Sequence, residues 1–324
     1  MQRHAYEQLV HLPDAPQRAP EQAPEGSLYN RLDLHPLQAE AKAGGTTVEK
    51  MQLPGQHPAE YRLHLPKDYD GKEALPVVIL YHGYGRTKGQ GGTERGAEGM
   101  EEVSGLSELA DKERFIAVFP NGDKKSSYSF NNGQWFFSKR DDEKYTERML
   151  DELEDNLNID KDRIYMVGYS QGGSFTHNIA NKMSDRVAAV VENAGWMTGK
   201  EKPPESPFPI MSIQSKSDKV APMNGNPWYS ITQKPEAYTQ DFYRRAAGIT
   251  EAPQTDKRTG KDGSEIEEVH SANPKTGVEV RTMYLNNQRH LWYGGVGAEN
   301  APVDSTEEAW KFLKRFKLSD RQTG

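Results

Sequence analysis

The 324-residue sequence contains no cysteine. That removes disulfides, thiolate metal sites and a cysteine nucleophile together. It holds no run of about 18 apolar residues that would read as a membrane-spanning helix. Its first stretch, MQRHAYEQLVHLPDAPQ, lacks the apolar segment of about 7–15 residues expected of a signal peptide. There is no Asn-x-Ser/Thr acceptor for N-linked glycans. Positive charge is not in excess either: 41 Lys and Arg stand against 48 Asp and Glu, a formal net charge of −7. Such a balance offers no basic footprint for nucleic acid or anionic lipid. Apolar residues are sparse as well, at 34% with 27% charged and a mean hydropathy of −0.89. A chain this polar is expected to carry a solvated appendage beside its core. Its length suits one large domain or two small ones.

Residues 1–45 place Pro13, Pro16, Pro20, Pro24 and Pro36 among Gln, Glu and Ala without a sustained period, which predicts a polar arm or linker. Order is expected from Thr46. The segments TTVEKMQLP and AEYRLHLP, separated by Gly55 and Pro58, read as an antiparallel hairpin. LPVVILYHGYG, FIAVFP, RIYMVGYS, VAAVVENAG and PIMSIQS are short apolar runs of the kind buried on both faces of a sheet. Between them, Tyr145, Met149, Leu153 and Leu157 form one apolar stripe on a charged helix. Near the end, Ser305 and Glu308 have capping-box spacing ahead of Trp310, Leu313 and Phe316, predicting a last amphipathic helix. Alternating buried strands and amphipathic helices predict the α/β class: a mostly parallel central sheet with helices on both faces. Residues 250–276, rich in Lys, Asp, Gly and Glu, read as a charged insertion with at most a hairpin.

The sharpest chemical signal is Gly168-Tyr169-Ser170-Gln171-Gly172, a G-x-S-x-G between a predicted strand and a helix-compatible stretch. A nucleophile on a sharp strand-to-helix turn needs neighbours without bulk two residues away on either side, and Gly168 and Gly172 meet that need. The turn would raise the Ser170 hydroxyl above the sheet and put the Gln171 N–H where an oxyanion forms. A serine hydroxyl is a poor nucleophile without a base, and the base needs a third group to hold its tautomer. On a turn of this type the chain order is Ser, acid, His. Only His177, His270 and His290 follow Ser170. His177 lies on the helix leaving the turn, and His270 sits in the charged insertion. His290, in a loop after the apolar RTMYL, is preferred. Asp218, just beyond PIMSIQS, is the preferred acid, with Asp185 and Asp241 as rivals. The Tyr84 N–H in His82-Gly83-Tyr84-Gly85 is nominated as the second oxyanion donor, and His82 as a histidine bracing that loop. Trp135, Trp196, Trp228 and Trp292 are candidates for a substrate pocket, although core filling explains them equally well.

Together, LPVVILYHGYG, FPNG at 119–122, Trp135 after Phe130-Asn131-Asn132, IDKDRIYMVGYSQGG, SDKVAPMNGNPW and RHLWYGG resemble the α/β-hydrolases of the polyhydroxybutyrate-depolymerase and feruloyl-esterase type. The resemblance runs from about Ala59 to Phe316 and implies a catalytic domain over 46–318 with a tail at 319–324. It departs from that pattern at Gln214-Ser215, where the family has His-Gly, and at Tyr84, where many members have cysteine. Arg289 stands where glycine is usual, and Tyr293 replaces a proline. The resemblance implies a serine esterase working through an acyl-enzyme, with Ser170, His290 and Asp218 as triad and no metal or organic cofactor. Its substrates would be polyesters, feruloyl or acetyl groups of polysaccharides, or aryl esters, and its members suggest a secreted or periplasmic protein. A serine peptidase on the same fold and a non-catalytic binding module that retains it are the alternatives. No partner beyond an ester substrate is indicated, and the oligomeric state is open.

Overall fold

A computed structural model of the chain describes residues 41–85, 96–134, 136–226 and 232–321. Nearly all of the 1–45 arm therefore lies outside the described residues, as do Trp135 and Trp228. The first two strands, β1 (Gly45–Met51) and β2 (Ala59–Leu65), pair antiparallel from Gly45 opposite Leu65 to Met51 opposite Ala59. Alternation explains the arrangement: Ala59, Tyr61, Leu63 and Leu65 all turn to one buried face.

The centre of the sheet comes from apolar runs that cannot face water on either side. In β3 (Leu75–Tyr81) all seven residues are buried. Val77, Ile79 and Tyr81 enter one core cluster, and Val78 and Leu80 the other. β4 (Ile116–Pro120), β5 (Ile159–Tyr169), β6 (Ala189–Asn193), β7 (Ile210–Ser215) and β10 (Glu279–Leu285) join β3 in parallel. With β8 (Gln254–Thr259) and β9 (Glu265–Ala272), the described residues form a ten-stranded sheet in the order β1-β2-β4-β3-β5-β6-β7-β10-β9-β8.

Helices cover both faces. On one side, α3 (Asp142–Asn156), α4 (Gln171–Lys182) and α5 (Glu236–Ala246) bury Tyr145, Met149, Leu153, Phe175, Ile179 and Tyr243. On the other, α1 (Ala97–Ser104), α2 (Leu106–Glu113) and α6 (Ser305–Leu313) bury Met100, Ala110, Trp310 and Phe312. The mostly parallel sheet, the two helical layers and the N-terminal hairpin are those expected from the sequence.

One local reading is extended and one differs. The charged stretch at 250–276 carries the hairpin the sequence allowed, β8 with β9, and that hairpin joins the edge of the main sheet because β9 pairs with β10. Polar sequence suits an edge exposed to water, and every residue of β8 is exposed. The cap of α6 is Asp304, whose carboxylate accepts from the Thr306 and Glu307 N–H groups. Ser305 is not that cap because it is already the first residue of the helix, and its hydroxyl points to the sheet, donating to Asn193 Oδ1 at 2.6 Å.

The C-terminal end of the described chain is tied into the body. Buried Arg321 donates to the carbonyls of Ser184, Val187, Ser206 and Pro207. Burial pulls its guanidinium down to about 10, and the four carbonyls keep it paired. Arg321→Ala leaves those acceptors without a donor. It should lower the unfolding free energy by about 2–3 kcal/mol, read from denaturant melts.

Candidate active site

The parallel strands β3, β5, β6, β7 and β10 end on the same side of the sheet, so the loops after Tyr81, Tyr169, Asn193, Ser215 and Leu285 share one rim. At its middle, Ser170 joins β5 to α4 with φ 54° and ψ −119°. A non-glycine residue there is strained by roughly 1–3 kcal/mol and persists only where packing fixes it. Its N–H donates to the Asn193 carbonyl at 2.9 Å, and its carbonyl accepts the Ser174 N–H at 2.9 Å to start the helix.

The two glycines are required by space. A Cβ on Gly168 would sit 2.3 Å from Thr176 Oγ1 and 2.5 Å from the Gly172 carbonyl oxygen. One on Gly172 would sit 2.3 Å from the His82 oxygen and 2.4 Å from that of Tyr81. These obstacles are backbone or helix atoms that cannot yield cheaply. Gly172→Ala should therefore cost about 1–3 kcal/mol or more of stability, with activity falling along with the folded yield in a thermal melt.

Ser170 Oγ lies 2.7 Å from His290 Nε2, and His290 Nδ1 lies 2.6 Å from Asp218 Oδ2. The other carboxylate oxygen of Asp218 accepts the N–H groups of Val220 at 2.7 Å and Ala221 at 3.0 Å. A carboxylate held as acceptor on both oxygens makes Nδ1 the protonated ring nitrogen. Nε2 is then left to accept the serine proton. The Asp218 side chain is fully buried, while that of His290 keeps 13% of its surface open. The structure thus brings together Ser170, Asp218 and His290. It sets the other histidines apart: His270 contacts Asp256 on the exposed sheet edge, and His177 is buried against Tyr243.

The base loop has no regular structure of its own and is pinned instead. The His290 ring stacks on Tyr169 at 5.5 Å, and the Tyr169 hydroxyl donates to the His290 carbonyl at 3.3 Å. Ser215 Oγ donates to the Gln288 carbonyl at 2.8 Å, and Asn193 Nδ2 to that of Leu291 at 2.9 Å. Tyr169 was named from sequence only as a member of the G-x-S-x-G turn and Ser215 only as a departure from the family pattern, Asn193 not at all, and none was assigned a part in holding His290. The only available signal was position, since each closes a strand that feeds the rim.

On the other side of Ser170, Gln171 opens α4, so its N–H lies at the positive end of the helix dipole. Its side chain clamps Phe130, accepting that residue's N–H at 3.0 Å and donating to its carbonyl at 2.7 Å. His82 accepts the Gly122 N–H at Nε2 and donates from Nδ1 to the Gly83 carbonyl, so both ring nitrogens brace the loop before Tyr84. Burial pushes its imidazolium down to about 4, which keeps the ring neutral. The Tyr84 ring packs on Phe136 and Phe137, and Phe137, Trp196 and Ala221 form a small buried cluster beside it. Trp292 does not belong to that wall. It is buried in the core against α6, with Nε1 donating to Thr306 Oγ1 at 2.9 Å, because its loop turns inward after His290.

With this geometry in place, the chain was compared with known proteins. Residues 55–317 match the model of the Esterase family, described as "Putative esterase". The chain belongs to that family. This esterase, a hydrolase of carboxylic esters, is 26% identical over 329 residues to "Putative esterase NocK" of Nocardia uniformis subsp. tsuyamanensis, spanning 93% of the chain and 92% of the relative. It is 25% identical over 263 residues to "Feruloyl esterase B" of Piromyces equi, spanning 78% of the chain but only 44% of that protein. Among solved structures it is similar to MGS-M1, an alpha/beta hydrolase enzyme from a Medee basin deep-sea metagenome library. The TM-score is 0.53 at 14% identity, covering 84% of the esterase and 98% of MGS-M1. That likeness concerns the fold, which is the α/β-hydrolase fold.

Below the rim the esterase buries two carboxyl groups. Glu192 accepts from Gln214 Nε2 at 2.7 Å and from the Gly195 N–H at 2.6 Å. Glu236 accepts from Thr282 Oγ1 at 2.8 Å, and Ser212 hydrogen-bonds to both acids. Burial, and for Glu236 also the charge of Glu192, raises both well above the ordinary carboxylate range. The folded state thus holds protons that the unfolded chain releases above about pH 4.3. This contribution is complete below that pH and is lost as pH rises through the raised values. Glu236→Gln should flatten the decline in stability between pH 5 and pH 8, gaining about 1–3 kcal/mol over the parent at the alkaline end in parallel urea titrations.

Proposed function

We propose that Ser170 is the nucleophile of this esterase, His290 its general base and acid, and Asp218 the group that orients His290. The support is the unbroken chain of short contacts from Ser170 Oγ to His290 to Asp218. The Ser170 hydroxyl attacks the ester carbonyl carbon and passes its proton to Nε2. The same proton goes to the leaving alcohol as the acyl-enzyme forms. Water then reverses the roles: Nε2 takes its proton, the hydroxide adds to the acyl carbon, and Ser170 leaves with the proton returned. Asp218 stays ionised and stabilises the imidazolium. The N–H groups of Gln171 and Tyr84 hold the oxyanion, each contributing about 2.7–4 kcal/mol to the transition state in sites of this kind.

For the substrate we propose esters with an aromatic acyl part. Phe136, 44% exposed, packs on Tyr84 and presents apolar surface beside the nominated oxyanion loop, buried Phe137 and Trp196 back it from below, and one relative is named as a feruloyl esterase. A polyester or an acetylated polysaccharide is the second substrate class the family resemblance allows.

Ser170→Ala should lower kcat by about 10^3-fold or more while the melting temperature stays near that of the parent, and a fluorophosphonate probe should label Ser170 only in the parent. Retained turnover in the folded variant overturns the assignment. In a panel of methyl ferulate, p-nitrophenyl acetate, acetylated xylan, polyester film and a peptide anilide, kcat/KM should be highest on the aromatic acyl ester. A preference for polyester or acetyl substrates moves the reading to the second class, and one for the anilide to a peptidase.

A further inference from the structure

The nucleophile and its base stand 120 residues apart in the chain, and one buried residue, Asn193, bonds the first through its main-chain carbonyl and the backbone next to the second through its side-chain amide. Asn193 is the last residue of β6 and is fully buried. Its carbonyl accepts the Ser170 N–H at 2.9 Å. Its amide nitrogen donates to the carbonyl of Leu291, the residue after His290, at 2.9 Å, and its amide oxygen accepts from Ser305 Oγ at 2.6 Å. All three contacts have hydrogen-bond geometry within the range where such bonds are strong. Each polar group of the amide that bonds here has a partner of fixed position.

Asn193 is also held from behind. Ala194 follows it with φ 53°, and its N–H donates to the Ile213 carbonyl at 2.9 Å. Gly195 then donates to buried Glu192 at 2.6 Å. A residue locked by strand pairing on one side and by a left-handed turn on the other has little freedom to follow a drifting loop. The base loop therefore has to come to Asn193.

We propose that Asn193 is a positioning residue for catalysis: with its main-chain carbonyl on the Ser170 N–H and its side-chain amide on the carbonyl of Leu291, next to His290, it fixes the reach from His290 to Ser170. This rests on the assignment of Ser170 and His290 as nucleophile and base. The amide fits because the Leu291 carbonyl needs a donor while the Ser305 hydroxyl needs an acceptor, and Asn offers both within one planar group. Asp in the same volume keeps the acceptor but, when ionised, has no donor for Leu291. Ala has neither. A misplacement near 1 Å between base and nucleophile costs on the order of 100-fold in rate, so loss of this bond should show in kcat rather than in substrate binding.

The test compares the full-length protein with Asn193→Asp, Asn193→Ala, Ser305→Ala and the Asn193→Ala/Ser305→Ala double variant on a p-nitrophenyl ester. Thermal melts identify the folded variants. The inference expects kcat lower by about 10- to 100-fold in both Asn193 variants and KM within threefold of the parent. Ser305→Ala alone should lose less, and adding it to Asn193→Ala should cost nothing further, because Ser305 acts through the amide it holds. A folded Asn193 variant with kcat within twofold of the parent overturns the inference. So does a loss carried mainly by KM, or a Ser305→Ala effect that adds in full. If Asn193→Ala fails to fold, the isosteric Asp variant decides alone. Ser170→Ala run beside them separates the two readings: turnover that survives without the hydroxyl sinks the catalytic assignment, whereas full activity in the Asn193 variants with an inert Ser170→Ala sinks only the role of Asn193.

Discussion

The hydrogen bond from the Ser170 N–H to the Asn193 carbonyl, made across the ends of two parallel strands, fixes the backbone turn on which the site depends. The turn keeps Ser170 at a positive φ that an isolated chain would abandon. Its neighbours supply the compensation: Gly168 and Gly172 let helix and strand approach to distances no side chain would permit. The Gln171 amide then ties the start of α4 to the Phe130 backbone. Strain at Ser170 is thus sustained by close packing and by bonds made to backbone atoms, which do not change rotamer.

A second feature is the division of labour between sheet and loops. The sheet supplies rigid strand ends, and the loops supply Asp218 and His290. Neither loop is left to find its own conformation. Asp218 is set by two backbone N–H groups in its own turn, whereas the His290 loop is held from outside by Tyr169, Asn193 and Ser215. The residues doing that holding are polar and buried, and in the folded state their bonds are satisfied within the same rim. Buried polar groups of this kind cost stability unless paired, so the network binds geometry and stability together. The acid pair of Glu192 and Glu236 beneath it follows the same logic, meeting the cost by keeping protons and by accepting from Gln214, Gly195, Thr282 and Ser212.

Much of the architecture was legible because it follows from local rules. LPVVILY is apolar at every position and so had to be buried on both faces, and the stripe of Tyr145, Met149 and Leu153 had to lie on a sheet. The charged stretch at 250–276 was legible only as a hairpin at most because an edge strand and a surface loop share the same polar composition. Only pairing with β10 separates them. The cap of α6 misled because Asp304, one residue earlier, has the same capping chemistry and accepts two N–H groups, while Ser305 starts the helix and donates its hydroxyl to Asn193, 112 residues away. Trp292 was a pocket candidate by its place beside His290, yet the chain turns inward within two residues and buries the indole under α6.

The sequence by itself determined the fold class and the strand-to-helix turn bearing Ser170, since each is written in spacing and composition over a few neighbouring residues. His290 was preferred from sequence, but tertiary structure alone placed its ring against the Ser170 hydroxyl, decided which of its nitrogens carries the proton, and decided which buried polar residues hold the loops. Those outcomes depend on contacts between segments 70 to 120 residues apart. No local period encodes such contacts, because they arise only when parallel strands bring their ends to one rim.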